Sequence, residues 1–300
     1  MSENVSQNDD QQTYPLAGHR VHRVGFGAMQ LPGPGVMGPP RDHDQAIAVL
    51  RRAVELGVDH IDTAQFYGPN VANKLIHEAL HPYPDDLVLV SKVGAVRDDA
   101  GNWLMAQAPD QLRQGVEDNL RTLEVEQLGA VNLRLPDAAH RGPEDAEIPL
   151  EDKLAAMAAL RDEGKIAGIG ISTASLEEVR TAHESVGLVC VQNAFSLADR
   201  SDRPVLDYCL EQGIAYVPYF PLGSAFPGMP KVSEQPQAID VAQRLGHSPA
   251  QVGLAWLLAL APNTLLIPGT SSPDHLEENL AVAGIRLSAE DVAELEQIGG

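Results

Sequence analysis

The chain has 300 residues, of which 44% are hydrophobic and 21% charged, a composition that excludes an intrinsically disordered protein and is sufficient for a large core. Its formal net charge of -21 would repel nucleic acid and anionic membranes, so neither is an expected partner. No apolar run reaches the roughly 20 residues of a membrane-spanning helix, and two cysteines without a disulfide framework favour a reducing, cytoplasmic location.

Short apolar runs alternate with amphipathic helical windows over 14–300, after a polar segment, 1–13, that we expect to be a disordered tail. Asp110 and Ser175 are expected to cap helices, and Gly57, Gly164 and Gly213 to end them. The predicted strands are 24–28, 58–62, 87–91, 128–133, 166–171, 188–192, 214–218 and 264–267. The predicted helices are 42–56, 70–80, 109–124, 150–163, 175–185, 201–212, 235–260 and 273–283.

Each of the eight strands is followed by a helix, and the strands are apolar on both faces, which indicates a parallel sheet covered on both sides. Eight repeats favour closure into a single-domain (β/α)8 TIM barrel over 14–300. An open doubly wound sheet usually carries a glycine-rich phosphate turn after its first strand, but residues 25–32 lack the third glycine and an opening helix. The Gly- and Pro-rich segment 29–41 is therefore a candidate active-site loop.

Three residues at successive barrel segments form a candidate acid–base site, because the carboxyl ends of barrel strands face the active site. Asp62 ends the second predicted strand, Lys92 follows the third, and Tyr67 comes five residues after Asp62. An ammonium group beside a phenol stabilises the phenolate and would lower the pKa of Tyr67, while a carboxylate would keep Lys92 charged and oriented. Alternatively, Asp62 could cap a turn and Lys92 could be a solvated lysine or a Schiff-base lysine.

These residues belong to a set of segments in which the chain resembles the aldo-keto reductases over nearly all of 15–297. The matching segments, in order and at barrel spacing, are 25–29, 62–68, 91–94, 164–172, 191–193, 219–223 and 267–279. The resemblance implies an NADPH-dependent reductase of aldehydes or ketones. In that scheme hydride moves from the nicotinamide to the carbonyl carbon, and Tyr67 protonates the oxygen with support from Asp62 and Lys92.

The resemblance also implies a cofactor site. Ser172 and Gln192 would hold the nicotinamide carboxamide, and Tyr219 would stack under the ring. Thr173 replaces the usual Asn, which keeps a hydroxyl but loses the two-sided hydrogen bonding of an amide. The other implied cofactor residues are Gly27, Met29, Pro221, Leu222, Gly223, Ile267, Pro268, Gly269, Thr270, Ser271, Ser272, His275, Glu278 and Asn279.

Three further positions depart from the family's pattern. Gly269 and His275 replace the basic pair that binds the 2′-phosphate, so the expected preference for NADPH over NADH rests on the resemblance alone. Arg134 stands where most members have a catalytic His. An arginine is permanently charged and only donates, so Arg134 could polarise the carbonyl, bind an anionic group, raise the barrier, or form a structural ion pair. A bacterial subgroup with Asn-Leu-Arg at this place is associated with pyridoxal reduction, which suggests a pyridine aldehyde as substrate.

The segment 77–81, His-Glu-Ala-Leu-His, matches the pattern of zinc proteases. That pattern needs both imidazoles on one helical face and a third ligand. Pro82 follows at once and should end the helix, and the segment belongs to the barrel end opposite the active site. We therefore expect no metal.

Trp103 lies in a polar loop after the third predicted strand and could form a wall of the substrate pocket. The expected partner is a small carbonyl compound, and the chain is expected to be a monomer or a small homo-oligomer. Two other functions stay open: a regulatory protein that binds NADPH with weak turnover, and a barrel lyase that forms a Schiff base through Lys92.

Overall fold

A computed structural model of the protein describes residues 12–136, 148–223 and 230–298. The strands within these residues are β1 (Thr13–Leu16), β2 (His19–His22), β3 (Phe26–Gly27), β4 (His60–Asp62), β5 (Val88–Val93), β6 (Ala95–Arg97), β7 (Trp103–Met105), β8 (Leu128–Arg134), β9 (Ile166–Ser172), β10 (Cys190–Gln192) and β11 (Ala215–Tyr216). The α-helices are α1 (His43–Glu55), α2 (Val71–Leu80), α3 (Pro109–Leu123), α4 (Leu150–Asp162), α5 (Leu176–Val186), α6 (Arg203–Gln212), α7 (Pro236–Leu245), α8 (Pro249–Leu260), α9 (Pro273–Ala281) and α10 (Ala289–Leu295).

A parallel sheet with the order β3-β4-β5-β8-β9-β10-β11 forms the centre of the molecule. The segment 264–266 joins its two edges, because Thr264 forms a parallel bridge with Tyr216 and Leu266 forms one with Val24. The Leu265 amide donates to the Tyr216 carbonyl at 2.9 Å, and the Gly25 amide donates to the Leu266 carbonyl at 2.8 Å. The segment 264–266 thus takes the place of an eighth strand and closes the sheet, which confirms the predicted (β/α)8 barrel.

An antiparallel hairpin of β1 and β2 precedes the barrel and was not predicted. Its buried residues Leu16 and Val21 pack with interior residues of the barrel such as Val88 and Ala215. The hairpin therefore closes the amino-terminal end of the barrel. The predicted tail extends too far, because Thr13 already belongs to β1, while residues 1–11 lie outside the described part of the chain.

The predicted helix 235–260 is wrong in one respect, since it is two helices, α7 and α8. Gly246 ends α7 at a φ of +73°, a left-handed conformation that glycine adopts without steric cost. Ser248 then caps α8, whose first residue is Pro249. Ser175 caps α5 as expected, but Asp110 does not cap α3, because Ala108 holds that position. Within the described residues, no helix is long and apolar enough to cross a membrane.

Candidate active site

Asp62 and Lys92 form a buried ion pair at the carboxyl ends of two neighbouring strands, β4 and β5. The Lys92 ammonium donates to Oδ1 of Asp62 and, at 3.1 Å, to the carbonyl of Thr63. The second carboxylate oxygen accepts a hydrogen bond of 2.9 Å from Nε2 of Gln192 on β10. Both charged side chains are almost fully buried. The pair is therefore held in one orientation by groups from three strands.

Tyr67 lies in the turn after β4, with the centroid of its ring 5.0 Å from Nζ of Lys92. Burial raises the pKa of its phenol, Lys92 and Arg134 lower it, Asp62 raises it, and the net change is upward. The expected lowering by Lys92 is thus present but smaller than the effect of burial. Burial lowers the pKa of Lys92, whereas Asp62 and Tyr67 raise it, and again the net change is upward. At neutral pH the site therefore combines a neutral phenol with a charged ammonium.

Arg134 ends β8 and faces the barrel interior. Lys92 and Asn132 are neighbours in register on β5 and β8, and side chains two residues apart on a strand share a face. The Arg134 Nε is buried without a hydrogen-bond partner, and its Cζ lies 5.9 Å from the centroid of the Trp103 ring. No carboxylate pairs with it among residues 12–136, 148–223 and 230–298, while Asp137 lies outside them. Its charge is therefore uncompensated in the described part of the site.

Trp103 is part of an aromatic row that leads from Tyr67 to the surface. The Phe66 ring packs edge-on against both Tyr67 and Trp103, with centroids 5.4 Å apart in each case. The Arg97 guanidinium lies 4.2 Å from the Trp103 centroid and donates to the Gly35 carbonyl at 3.1 Å. The hairpin of β6 and β7 is thereby tied to the loop 29–41. Trp103 remains 40% exposed, so its ring is accessible to a ligand.

The four residues expected at the nicotinamide lie together at the ends of β9, β10 and β11. Ser172 and Gln192 are buried and are direct neighbours in register. Oε1 of Gln192 is buried without a hydrogen-bond partner, so it can accept a bond from an amide. Oγ1 of Thr173 lies 3.4 Å from both the Ser172 hydroxyl and the Tyr219 hydroxyl. These groups could hold a carboxamide.

Two glycines let β3 closely approach the segment that follows residues 264–266. A Cβ at Gly27 would lie 2.4 Å from the Ile267 carbonyl oxygen, and one at Gly269 would lie 2.5 Å from the Gly27 oxygen. Contacts of that length do not occur in folded proteins, so both positions require glycine here. Pro268 lies between the two contacts in sequence. Gly27, Ile267 and Gly269 therefore lie close together.

The amino-terminal end of α9 carries the hydroxyls expected at the adenosine end of a cofactor. Ser272 caps the helix, and its hydroxyl accepts from the His275 amide at 3.4 Å. The Ser272 amide in turn donates to the Thr270 hydroxyl at 3.0 Å. The Ser271 carbonyl accepts a bond of 2.5 Å from Gln45, which joins this loop to α1. The His275 side chain is exposed.

The remaining predicted cofactor residues lie on three separate segments. Met29 is half-buried in the turn after β3. Pro221, Leu222 and Gly223 form a turn in which the Gly223 amide donates to the Phe220 carbonyl at 2.9 Å. Glu278 and Asn279 lie on α9, where Glu278 is exposed and Asn279 half-buried.

Residues 23–299 match the model of the Aldo/keto reductase family. The chain belongs to this family. It is therefore an oxidoreductase that acts on carbonyl groups and the corresponding alcohols. The chain is 47% identical over 286 residues to pyridoxine 4-dehydrogenase of Escherichia coli, covering 95% of this chain and 98% of that protein. It is 39% identical over 280 residues to an uncharacterized oxidoreductase of Schizosaccharomyces pombe, covering 93% of this chain and 87% of the relative.

A crystal structure of an aldo/keto reductase from Klebsiella pneumoniae in complex with NADP and acetate is similar to the fold described above. It superposes with a TM-score of 0.78 at 26% identity and covers 96% of this chain and 95% of that one. The likeness extends over the whole barrel.

Sequence reasoning missed two residues that shape the site of this aldo/keto reductase. Phe66 links Tyr67 to Trp103, and Arg97 links the β6–β7 hairpin to the loop 29–41. Phe66 directly precedes Tyr67, which was a usable signal. Arg97 gave no signal, because all its hydrogen-bond partners are backbone carbonyls, which no side-chain pattern marks, and those of Gly35 and Val36 lie about 60 residues away.

The segment 77–81 lies at the end of α2, outside the active site. The Glu78 carboxylate approaches His43 at 3.1 Å, away from the two histidines of the motif, so a protease arrangement is not formed. The helix ends at Leu80, as Pro82 predicted. The end of the helix does not separate His77 from His81, because their ring centroids are 4.7 Å apart.

Proposed function

We propose that this aldo/keto reductase interconverts a pyridoxal-type aldehyde and its alcohol with NADP(H), using Tyr67 as the proton donor. The observation that carries the proposal is the buried contact of Tyr67 with the Lys92–Asp62 ion pair at the mouth of the barrel. The substrate class is supported by the 47% identity to pyridoxine 4-dehydrogenase. A nicotinamide cofactor, when bound, supplies the hydride.

The side chains of the site then supply one proton and stabilise the negative charge that its transfer leaves. In the reducing direction the Tyr67 hydroxyl gives its proton to the carbonyl oxygen and is left as a phenolate. The Lys92 ammonium compensates that charge, and the Asp62 carboxylate with the Thr63 carbonyl keeps the ammonium in place. The raised pKa of Tyr67 keeps the donor protonated at neutral pH.

Arg134 is proposed to act on the substrate. Its guanidinium is uncompensated by any carboxylate of the described residues and lies against the Trp103 ring at the same mouth. A donor-only group can polarise a carbonyl oxygen or bind an anionic substituent, and it cannot act as the neutral His of other members would.

The residues present fit a nicotinamide cofactor. The free Gln192 oxygen would accept from the carboxamide, with the Ser172 and Thr173 hydroxyls beside it and Tyr219 against the ring. Thr270, Ser271 and Ser272 would bind the adenosine phosphate at the start of α9, where helix amides favour an anion. A preference for NADPH over NADH is part of the proposal, and the NADP complex of the Klebsiella relative supports it.

A Schiff-base lyase is disfavoured by the state of Lys92. A lysine must lose its proton to attack a carbonyl, and this one has a raised pKa and donates to Asp62.

The test measures NADPH consumption with pyridoxal and with 4-nitrobenzaldehyde, for the wild type and for Tyr67→Phe. We expect Tyr67→Phe to lower kcat about 10²- to 10⁴-fold and to leave NADPH binding, measured by fluorescence quenching, unchanged. Tyr208→Phe is the matched control, since Tyr208 lies on α6 and bonds His183. Tight binding without turnover of either aldehyde would indicate a regulatory protein, and no binding of either NADPH or NADH would overturn the proposal.

A further inference from the structure

His77, His81 and Glu124 meet at the end of the barrel opposite the active site. One nitrogen of each imidazole and one carboxylate oxygen all lie within 4.8 Å of one another. His77 is on the last turn of α2, His81 directly follows that helix, and Glu124 ends α3 in a left-handed conformation with a φ of +52°. In a (β/α)8 barrel the carboxyl ends of the helices lie at the opposite face from the active site.

The two imidazoles are adjacent although the helix ends between them. The His81 amide still donates to the His77 carbonyl at 2.9 Å, so His81 keeps the helical i+4 position. Pro82 follows His81 in the chain and therefore does not remove this hydrogen bond. The planes of the two rings are inclined by 32°, and one nitrogen of each ring lies within 4.8 Å of a Glu124 carboxylate oxygen.

A nitrogen at the centre of the cluster has no well-formed hydrogen bond. Nε2 of His77 is buried and lacks a hydrogen bond of good geometry, although it lies 3.3 Å from Oε2 of Glu124. The His81 ring contacts His77 and the Tyr83 ring. Imidazole nitrogens and a carboxylate oxygen are the ligand types that zinc binds.

Distances support a transition-metal ion. In tetrahedral zinc sites with bonds of about 2.0–2.2 Å, ligand atoms are about 3.3 Å apart. The His77–Glu124 separation already has this value, and no other separation in the cluster would need to shorten by more than about 1.5 Å. His77 is 29% exposed at its side chain and Glu124 is 64% exposed, so rotation of the side chains can achieve this.

We propose that His77, His81 and Glu124 bind one zinc ion, which joins the end of α2 to the end of α3. Two imidazoles select zinc over magnesium or calcium, which prefer oxygen ligands. The net charge of -21 favours a cation over the whole surface. Three protein ligands leave a fourth position for water.

The test titrates zinc chloride into chelator-treated, tag-free protein by calorimetry and follows thermal unfolding. We expect one zinc ion per chain with micromolar affinity. At a zinc concentration of about 100 times Kd, the melting temperature should rise by about 4 °C. Cobalt should give the visible absorption bands of a tetrahedral site. His81→Ala and Glu124→Gln should each weaken zinc binding at least tenfold and remove the thermal shift.

Two controls separate this site from general surface binding. His43→Ala removes an exposed imidazole that lies beside Asp44 and Glu78 with no second histidine, and Glu78→Gln removes the motif's own carboxylate. Both should bind zinc as the wild type does. The proposal is overturned if the wild type binds no zinc stoichiometrically, or if His81→Ala and Glu124→Gln retain wild-type affinity. Both altered residues are exposed, so folding of the variants is expected.

Discussion

The ammonium group of Lys92 lies 5.0 Å from the centre of the Tyr67 ring, in a site where both residues are 5% exposed. Two opposed effects act on the phenol. Burial raises its pKa, and the neighbouring ammonium lowers it by a smaller amount. Tyr67 is thus stable in its protonated form, and a phenolate formed by proton transfer, as proposed above, would have a fixed cation beside it.

The raised pKa of Tyr67 predicts opposite pH profiles for the two directions. Carbonyl reduction needs the protonated phenol, so kcat/KM for pyridoxal should be flat near neutral pH. Alcohol oxidation needs the phenolate, whose population rises about tenfold per pH unit below the pKa, so kcat/KM for pyridoxine with NADP⁺ should rise with that slope. Initial rates between about pH 6 and pH 10 test this. A pH-independent oxidation rate would contradict the assigned role.

Arg134 should affect activity far more than stability. Because it has no ion pair among the described residues, Arg134→Met should change the free energy of unfolding by less than about 1 kcal/mol. Loss of a charged hydrogen bond to substrate should lower kcat/KM about 10- to 100-fold. Removing this cation should also raise the pKa of Tyr67 further. The rise of kcat/KM for alcohol oxidation with pH should therefore move to higher pH.

Arg134→Lys separates charge from shape. This substitution keeps the positive charge, so the rise of the oxidation rate should stay near its wild-type pH. It removes the planar guanidinium, so kcat/KM should fall. If Arg134→Met instead causes a large loss of stability with unchanged kcat/KM, the residue is structural.

Trp103 should set the affinity for aromatic substrates. Trp103→Leu removes the exposed ring that packs on Phe66, and an aromatic contact contributes about 0.5–1.5 kcal/mol. We therefore expect KM for pyridoxal to rise about 2- to 10-fold, with a smaller change for an aliphatic aldehyde. Leu104→Ala is the matched control, since Leu104 is 46% exposed on the same short strand. If Trp103→Leu raises KM equally for both aldehydes, Trp103 does not form a wall that is specific for aromatic substrates.

The barrel and the proximity of Asp62, Lys92 and Tyr67 were predictable because their signals are local. Strands covered on both faces are apolar runs, and Asp62 and Lys92 end two successive runs, which parallel pairing brings together. The hairpin that carries Trp103 was not predictable. Its strands β6 and β7 have three residues each, which is too few to show the alternation of apolar and polar residues that predicts a strand. The net pKa change of Tyr67 was also missed, since burial depends on packing that the sequence does not state.

Thr173 holds a backbone conformation that its side chain disfavours. Its φ is +61°, and a β-branched residue in the left-handed region costs about 1–2 kcal/mol. Asparagine tolerates this region well, so Thr173→Asn should stabilise the protein by about 1 kcal/mol, which raises the melting temperature by about 1–2 °C for a chain of this length.

The same substitution should act on cofactor binding. An amide at position 173 can both donate and accept, so Thr173→Asn should tighten binding of NADP(H) several-fold in a fluorescence titration. Thr173→Ala is the control: it keeps the left-handed backbone, removes the hydroxyl beside Ser172 and Tyr219, and should weaken cofactor binding without a comparable gain in stability. If Thr173→Asn melts at a lower temperature than the wild type, the strain assigned to this residue is absent, because relief of that strain is the only reason for asparagine to be more stable here.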